Sequence, residues 1–350
     1  MKKNIQISNE NLLTSKIFSD FADIIYSETI STRDFNNEKA ENSEIISETT
    51  TSEYETITYK KKKFKVFEND VIFSNTEIID DLFFHLNKIK NLKNLTLITS
   101  ECDVEINETV FLKKPDCVIN WYSANVSYVH DNLIPIPLGL AKDFSKKNVG
   151  KSYFSDFNSD IFQKNRNVSL YINFQENTNY SHRKKLYSHF NQFDWATCEE
   201  PTGTIDNFIK QISNHSFSLC PWGNGIDTHR IFESLYLGTI PITKYHHTYS
   251  YLKDLPVVFV DNYKNVNLET LESWLEKNKN TKFNFEKLDR KWWQNKLDFN
   301  KKIEENYVEI DETEAERKYL ENIRTSKKVK LTQIKKFRTY QRKVQKLLNI

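Results

Sequence analysis

Short apolar runs alternate along the chain with longer stretches in which apolar residues return every three or four positions. That alternation predicts strands separated by helices. In the first half, residues 71–73, 95–99, 117–122 and 134–137 read as strands, and 78–89 as a helix. A polar linker over 142–163 follows. Beyond it, strands are predicted at 168–173, 195–197, 217–220, 240–242 and 257–260, with helices near 181–190, 204–213, 227–237 and 268–277. Ahead of both sets, Ile17, Phe18, Phe21 and Ile24 predict a helix over 12–26, while 36–58 is acidic, poor in large apolar groups and reads as a mobile loop. Lys60 to Lys63 reads as a solvated strand edge. Trp292 and Trp293 read as anchors for C-terminal helices. The expected fold class is α/β, with two Rossmann-like domains whose parallel sheets face each other across a cleft, plus C-terminal helices. Its parts are an N-terminal helix and loop over 1–58 belonging to the first domain, the rest of that domain over 59–150, a second domain over 151–285, and C-terminal helices over 286–350.

Glycine use sharpens this picture. The chain has six glycines, three of them within 223–238, and glycine belongs where φ is positive or where another group approaches closely. Cys220-Pro221-Trp222-Gly223-Asn224-Gly225-Ile226-Asp227-Thr228-His229-Arg230 runs from a strand end through a glycine loop to a helix start, with Asp227 as the expected N-cap. Such a helix start offers free N–H groups and partial positive charge to a phosphate or pyrophosphate. Gly223, Asn224, Gly225, Asp227, Thr228 and His229 are therefore candidate donor contacts. Arg230 and Glu233, three apart, share a helix face, Arg230 suited to a diphosphate and Glu233 to a ribose diol.

In open α/β sheets ligands sit beyond the carboxyl ends of strands. That rule selects Glu101-Cys102-Asp103, Ser123-Ala124-Asn125, and Asn177-Thr178-Asn179 with Arg183. Sugar transfer with inversion needs a base for the acceptor hydroxyl and positive charge for the leaving diphosphate. Asp103, ahead of Glu101, is the candidate base. Arg230, Arg183 and the helix amides supply the positive charge without a metal. His246 and His247 lie near the expected cleft, but two adjacent histidines are too few ligands for a metal.

The stretch 217–260, with Gly-Asn-Gly-Ile-Asp-Thr-His-Arg, Glu233, Leu-Gly-Thr-Ile-Pro-Ile and Leu-Pro-Val-Val-Phe-Val-Asp, resembles the donor-binding half of exostosin-like glycosyltransferases. Asn132-Leu-Ile-Pro-Ile-Pro-Leu-Gly-Leu-Ala141 and Leu170-Tyr-Ile-Asn-Phe-Gln-Glu-Asn-Thr-Asn-Tyr-Ser-His-Arg183 resemble earlier pieces of the same family, so the likeness covers roughly 70–265. It implies a GT-B arrangement and a nucleotide diphosphate sugar donor, and leaves the sugar unnamed. The leading expectation is an inverting, metal-independent glycosyltransferase acting on a surface glycan acceptor. A fucosyltransferase-like GT-B enzyme using a guanosine diphosphate sugar, and a sugar-nucleotide or glycan-binding protein without catalysis, remain alternatives.

Composition sets the remaining bounds. At 350 residues, 38% apolar and 13% aromatic, the chain has material for two globular cores. Its net charge of +2 is uneven: residues 326–350 hold nine Lys or Arg and no acid, so the preceding residues carry −7. Leu331, Ile334, Phe337, Val344 and Leu348 fall at helical spacing among those cations. This predicts a basic amphipathic arm for an anionic membrane or lipid-linked acceptor, or else for packing against protein. Nucleic acid is disfavoured, since only the arm is basic. No apolar run reaches membrane-spanning length and the start lacks a signal-peptide pattern, so a cytoplasmic protein is expected, peripheral on the inner membrane face if the basic arm meets lipid. Cys102, Cys117, Cys198 and Cys220 lack metal-ligand spacing and read as reduced thiols. No cofactor is expected beyond the donor as co-substrate.

Overall fold

The computed structural model describes residues 4–51, 54–142, 149–164, 166–297 and 303–329. Two sheets dominate. The second is five parallel strands in the order Ala196–Cys198, Leu170–Ile172, Phe217–Leu219, Ile240–Lys244 and Val258–Val260. Its strands are short and apolar, and the central ones are buried, as a sheet covered on both faces requires. Connecting helices include Tyr180–Phe190, Ile205–Asn214 and His229–Tyr236.

The first sheet has seven strands in the order Ser43–Thr50, Glu55–Lys61, Ile24–Ser31, Val71–Asn75, Leu95–Ser100, Val118–Ser123 and Leu133–Pro135. It is parallel from Ile24–Ser31 to Leu133–Pro135, but Glu55–Lys61 runs antiparallel to both neighbours. The fold is therefore mixed α/β, and its first sheet is not wholly parallel.

The N-terminal segment departs from expectation in three places. Residues 15–21 form turns and Ile24–Ser31 is a strand, so no helix spans 12–26. Ile17 and Phe18 are nonetheless buried in the main core, and Leu13 bonds across it, its N–H donating to the Tyr236 hydroxyl at 2.8 Å. Tertiary contacts override the helical spacing there. The stretch taken for a mobile loop contains the antiparallel strands Ser43–Thr50 and Glu55–Lys61, whose β-branched and aromatic residues suit a sheet. A boundary at 58 would cut the second of these. Finally, Lys60 is not a solvated edge residue but fully buried. Its ammonium lies 3.0 Å from Asp81, 2.7 Å from Glu312 and 3.4 Å from Glu44.

The two sheets do not sit as separate bodies. One apolar cluster runs through both, joining Val71, Phe73, Ile98 and Ile136 to Tyr171, Cys220, Ile231, Phe232 and Trp293. Trp293 is the expected anchor: it is 1% exposed and edge-on to Phe18 and Tyr251, with ring centroids 5.7 and 5.9 Å away. The chain then returns to the first half, where a strand, not only helices, forms: Ile303–Asp311 pairs antiparallel with Lys63–Glu68. A helix over 314–329 follows. Arg324 joins the buried charges by bonding Asp81 and, at 2.9 Å, Glu44. Residues 330–350, most of the predicted basic arm, lie outside the described residues.

Candidate functional site

The glycine loop leaves the carboxyl end of Phe217–Leu219 and enters helix His229–Tyr236. Its N-cap is Thr228, whose hydroxyl accepts from Arg230 N–H at 3.4 Å, and not Asp227 as the sequence predicts. Asp227 is instead buried behind the loop. Its carboxylate accepts from Leu138 N–H (2.9 Å), the Tyr251 hydroxyl (2.8 Å) and Thr228 N–H (2.8 Å). Loss of water outweighs those bonds and pushes its pKa up to about 6.

Asn125, at the carboxyl end of Val118–Ser123, has φ +54°, a left-handed conformation that asparagine tolerates. Its side-chain oxygen accepts from Ile226 N–H at 2.9 Å and Asp227 N–H at 2.8 Å. Two amides expected to face a donor are thus occupied by the opposite half of the molecule. Gly225 is required by this closeness, since a Cβ there would come within 2.8 Å of an Asp103 carboxylate oxygen. Asn125 was flagged from sequence only by its place after a strand; nothing in the sequence showed what it grips.

Two arginines flank the loop. Arg183 is buried, and its guanidinium donates to the carbonyls of Trp222 (3.1 Å), Pro221 (2.7 Å) and Gln175 (2.9 Å) and to the Thr178 hydroxyl (2.6 Å). It has no carboxylate partner among the described residues. Burial first, then repulsion by Arg230, lowers its pKa to about 10. Arg230 donates to Glu233 at 2.7 Å and to the Asn173 carbonyl, and lies over the Phe208 ring at 4.2 Å. Glu233 is 5% exposed, so the pair is present on one helix face as predicted. One Glu233 oxygen accepts from Arg230. Asn224 is exposed on the loop, and Gly223 lies against Arg183, where a Cβ would come within 3.2 Å of a guanidinium nitrogen.

The two candidate carboxylates differ sharply. Glu101 has φ +74°, an unusual conformation for a side chain of its size. It accepts from Thr29 N–H at 2.7 Å and from the Lys142 ammonium. Burial raises its pKa while Lys142 opposes the shift. Asp103 is exposed and has no hydrogen bond or ion pair among the described residues. Asp103, Glu101, Asn125, Asp227 and His229 line a cavity of about 220 Å³ between the halves. His229 Nδ1 lies 2.7 Å from the Gly139 carbonyl. A carbonyl only accepts, so Nδ1 carries the proton in this contact.

Asn177 is not part of this cavity. It lines a larger one of about 680 Å³, together with Phe174, Tyr180 and Tyr187, beyond the ends of Leu170–Ile172 and Ala196–Cys198. His246 stands edge-on to Trp222 at 5.3 Å, its pKa lowered by burial. Among the described residues no group of three or more His, Cys, Asp or Glu is placed to hold a metal, and no helix is long and apolar enough to cross a membrane. All four cysteines are free thiols. A scan against protein-family models and a search of curated proteins find no match to this chain.

Proposed function

We propose that this protein is a glycosyltransferase of GT-B type that moves a sugar from a nucleotide diphosphate donor to a glycan acceptor, with inversion and without a metal. The observation that carries this reading is the cationic pair at the glycine loop. Arg183 is buried without a counter-charge and is repelled by Arg230, an arrangement whose energy falls when an anion arrives. A diphosphate meets both cations and the start of helix His229–Tyr236. The aromatic-lined 680 Å³ cavity next to it has the size for a nucleoside.

Chemistry then belongs to the 220 Å³ cavity. Asp103, exposed and without a partner among the described residues, takes the acceptor hydroxyl proton as that oxygen attacks the anomeric carbon. The bond to the donor phosphate oxygen breaks, and Arg230 with the positive end of the dipole of helix His229–Tyr236 stabilises the charge left on the diphosphate. Glu233 orients Arg230 and offers its second oxygen to the ribose. Glu101, fixed by Lys142 and Thr29, sets the turn that carries Asp103 toward Gly225. The acceptor is a surface glycan, and the basic residues of 326–350 hold the protein near an anionic inner membrane face where a lipid-linked acceptor lies.

The test is turnover of a panel of uridine, guanosine, adenosine and cytidine diphosphate sugars with excess chelator present. Release of free nucleoside diphosphate from one class is expected. Binding without release would leave a sugar-nucleotide-binding protein, and activity lost in chelator but restored by manganese would overturn the metal-free step.

A further inference from the structure

A half-open cavity of about 480 Å³ lies at the opposite pole of the second sheet, where Ile240–Lys244 begins rather than ends. Five strand residues at about 3.3 Å each separate it from the glycine-loop edge. Trp274 and Phe283 lie parallel in its wall, 10° apart in plane with centroids 6.2 Å apart, and Phe285 is inclined 67° to Phe283. All three rings are only partly buried. Beside them the Asn278 amide donates to the Trp274 carbonyl (2.9 Å) and accepts from the Thr281 hydroxyl (3.2 Å), whereas the Asn284 side chain has no hydrogen-bond partner among the described residues. Lys279 and Lys282 are balanced by Asp160 and Glu286, so the lining carries no net charge.

Ring faces, an unengaged amide and balanced charge together suit a neutral sugar: its C–H faces pack on the aromatics and its hydroxyls bond the Asn284 amide and the ammonium groups. An acyl chain would cover the amides without bonding them. An anionic ligand would need an excess of cations. We propose that this cavity is a second carbohydrate site, holding a neutral pyranose segment of a glycan chain away from the reaction cleft. It goes beyond the transferase reading and rests on it only for the presence of a glycan nearby.

The test uses the full chain titrated with neutral oligomers of glucose, galactose and N-acetylglucosamine, followed by saturation-transfer NMR and tryptophan fluorescence. Binding near or below about 1 mM is expected for one class, weakened at least about fivefold in Asn284→Ala and Phe283→Leu. Trp274→Ala is the harsher variant, because Trp274 also packs edge-on against core Phe217 at 6.2 Å. Asn284→Ala removes no core contact and keeps the test decisive if Trp274→Ala fails to fold. No saturation transfer to any oligomer at about 10 mM, or binding unchanged in both milder variants, overturns the proposal. Nucleoside diphosphate affinity is expected to be unchanged in both. Measured on the same wild-type sample, that affinity judges the transferase reading separately.

Discussion

Asp103 and Glu101 stand two residues apart on one loop, yet the structure gives them different surroundings. Both were visible in the sequence as carboxylates after a strand. What separates them, the ammonium of Lys142, lies forty-one positions away and only the fold brings it in. Asp103→Asn is expected to lower turnover at least about a hundredfold while leaving donor affinity within about twofold, since a general base acts on the acceptor proton. Equal loss of donor affinity would place Asp103 among the binding groups instead. Asp227 allows a prediction in pH. Its folded pKa of about 6 lies above the ordinary 3.8, so the folded state holds the proton more tightly. Stability from this group is complete below about pH 4 and is lost as pH rises through about 6, roughly 3 kcal/mol in all. Denaturant midpoints should therefore carry this falling component between pH 4 and 6, and Asp227→Asn should remove it. The same slope in the variant would assign it to another group.

At the scale of elements, the second sheet was legible because its central strands are buried on both faces and read as short apolar runs. The edge of the first sheet was not. Ser43–Thr50 and Glu55–Lys61 are rich in Glu, Ser and Thr, which composition alone assigns to a loop, although Thr56-Ile57-Thr58-Tyr59 suits an inner strand and the exposed polar residues of Ser43–Thr50 suit the sheet edge. Lys60 was misread for the same reason, since its partners come from Glu44, Asp81 and Glu312 in three distant segments. Removing one partner of a buried charge set leaves the others uncompensated. Lys60→Met is expected to destabilise the fold by about 3–5 kcal/mol in denaturant unfolding, with nucleoside diphosphate affinity unchanged while the protein remains folded. A loss under about 1 kcal/mol would show that the carboxylates find other partners or water.

For the whole molecule, the sequence indicated two α/β halves and the loops that meet between them. It did not indicate how tightly they are joined. Chain segments far apart in sequence knit the halves into one core, and Asn125 and Asp227 latch the loops across it. The return of Ile303–Asp311 to Lys63–Glu68 fastens the C-terminal segment to the first half. If the basic residues of 326–350 hold an anionic surface, each cation near it contributes on the order of 1 kcal/mol before screening. Sedimentation with anionic vesicles should then weaken steeply with salt and disappear on deletion of 330–350, with donor affinity retained. Vesicle binding that ignores salt would rule out the electrostatic contact.

If Arg183 and Arg230 hold a nucleotide diphosphate as proposed, calorimetric titration will show it. Wild type is expected to bind one nucleoside diphosphate class near micromolar affinity, and the corresponding monophosphate about tenfold or more weaker. Arg230→Gln should lose about 1.5–3 kcal/mol of the diphosphate affinity, the worth of a charge-assisted bond. No detectable heat with any nucleoside diphosphate, or affinity unchanged by Arg230→Gln, would contradict the assignment of this site.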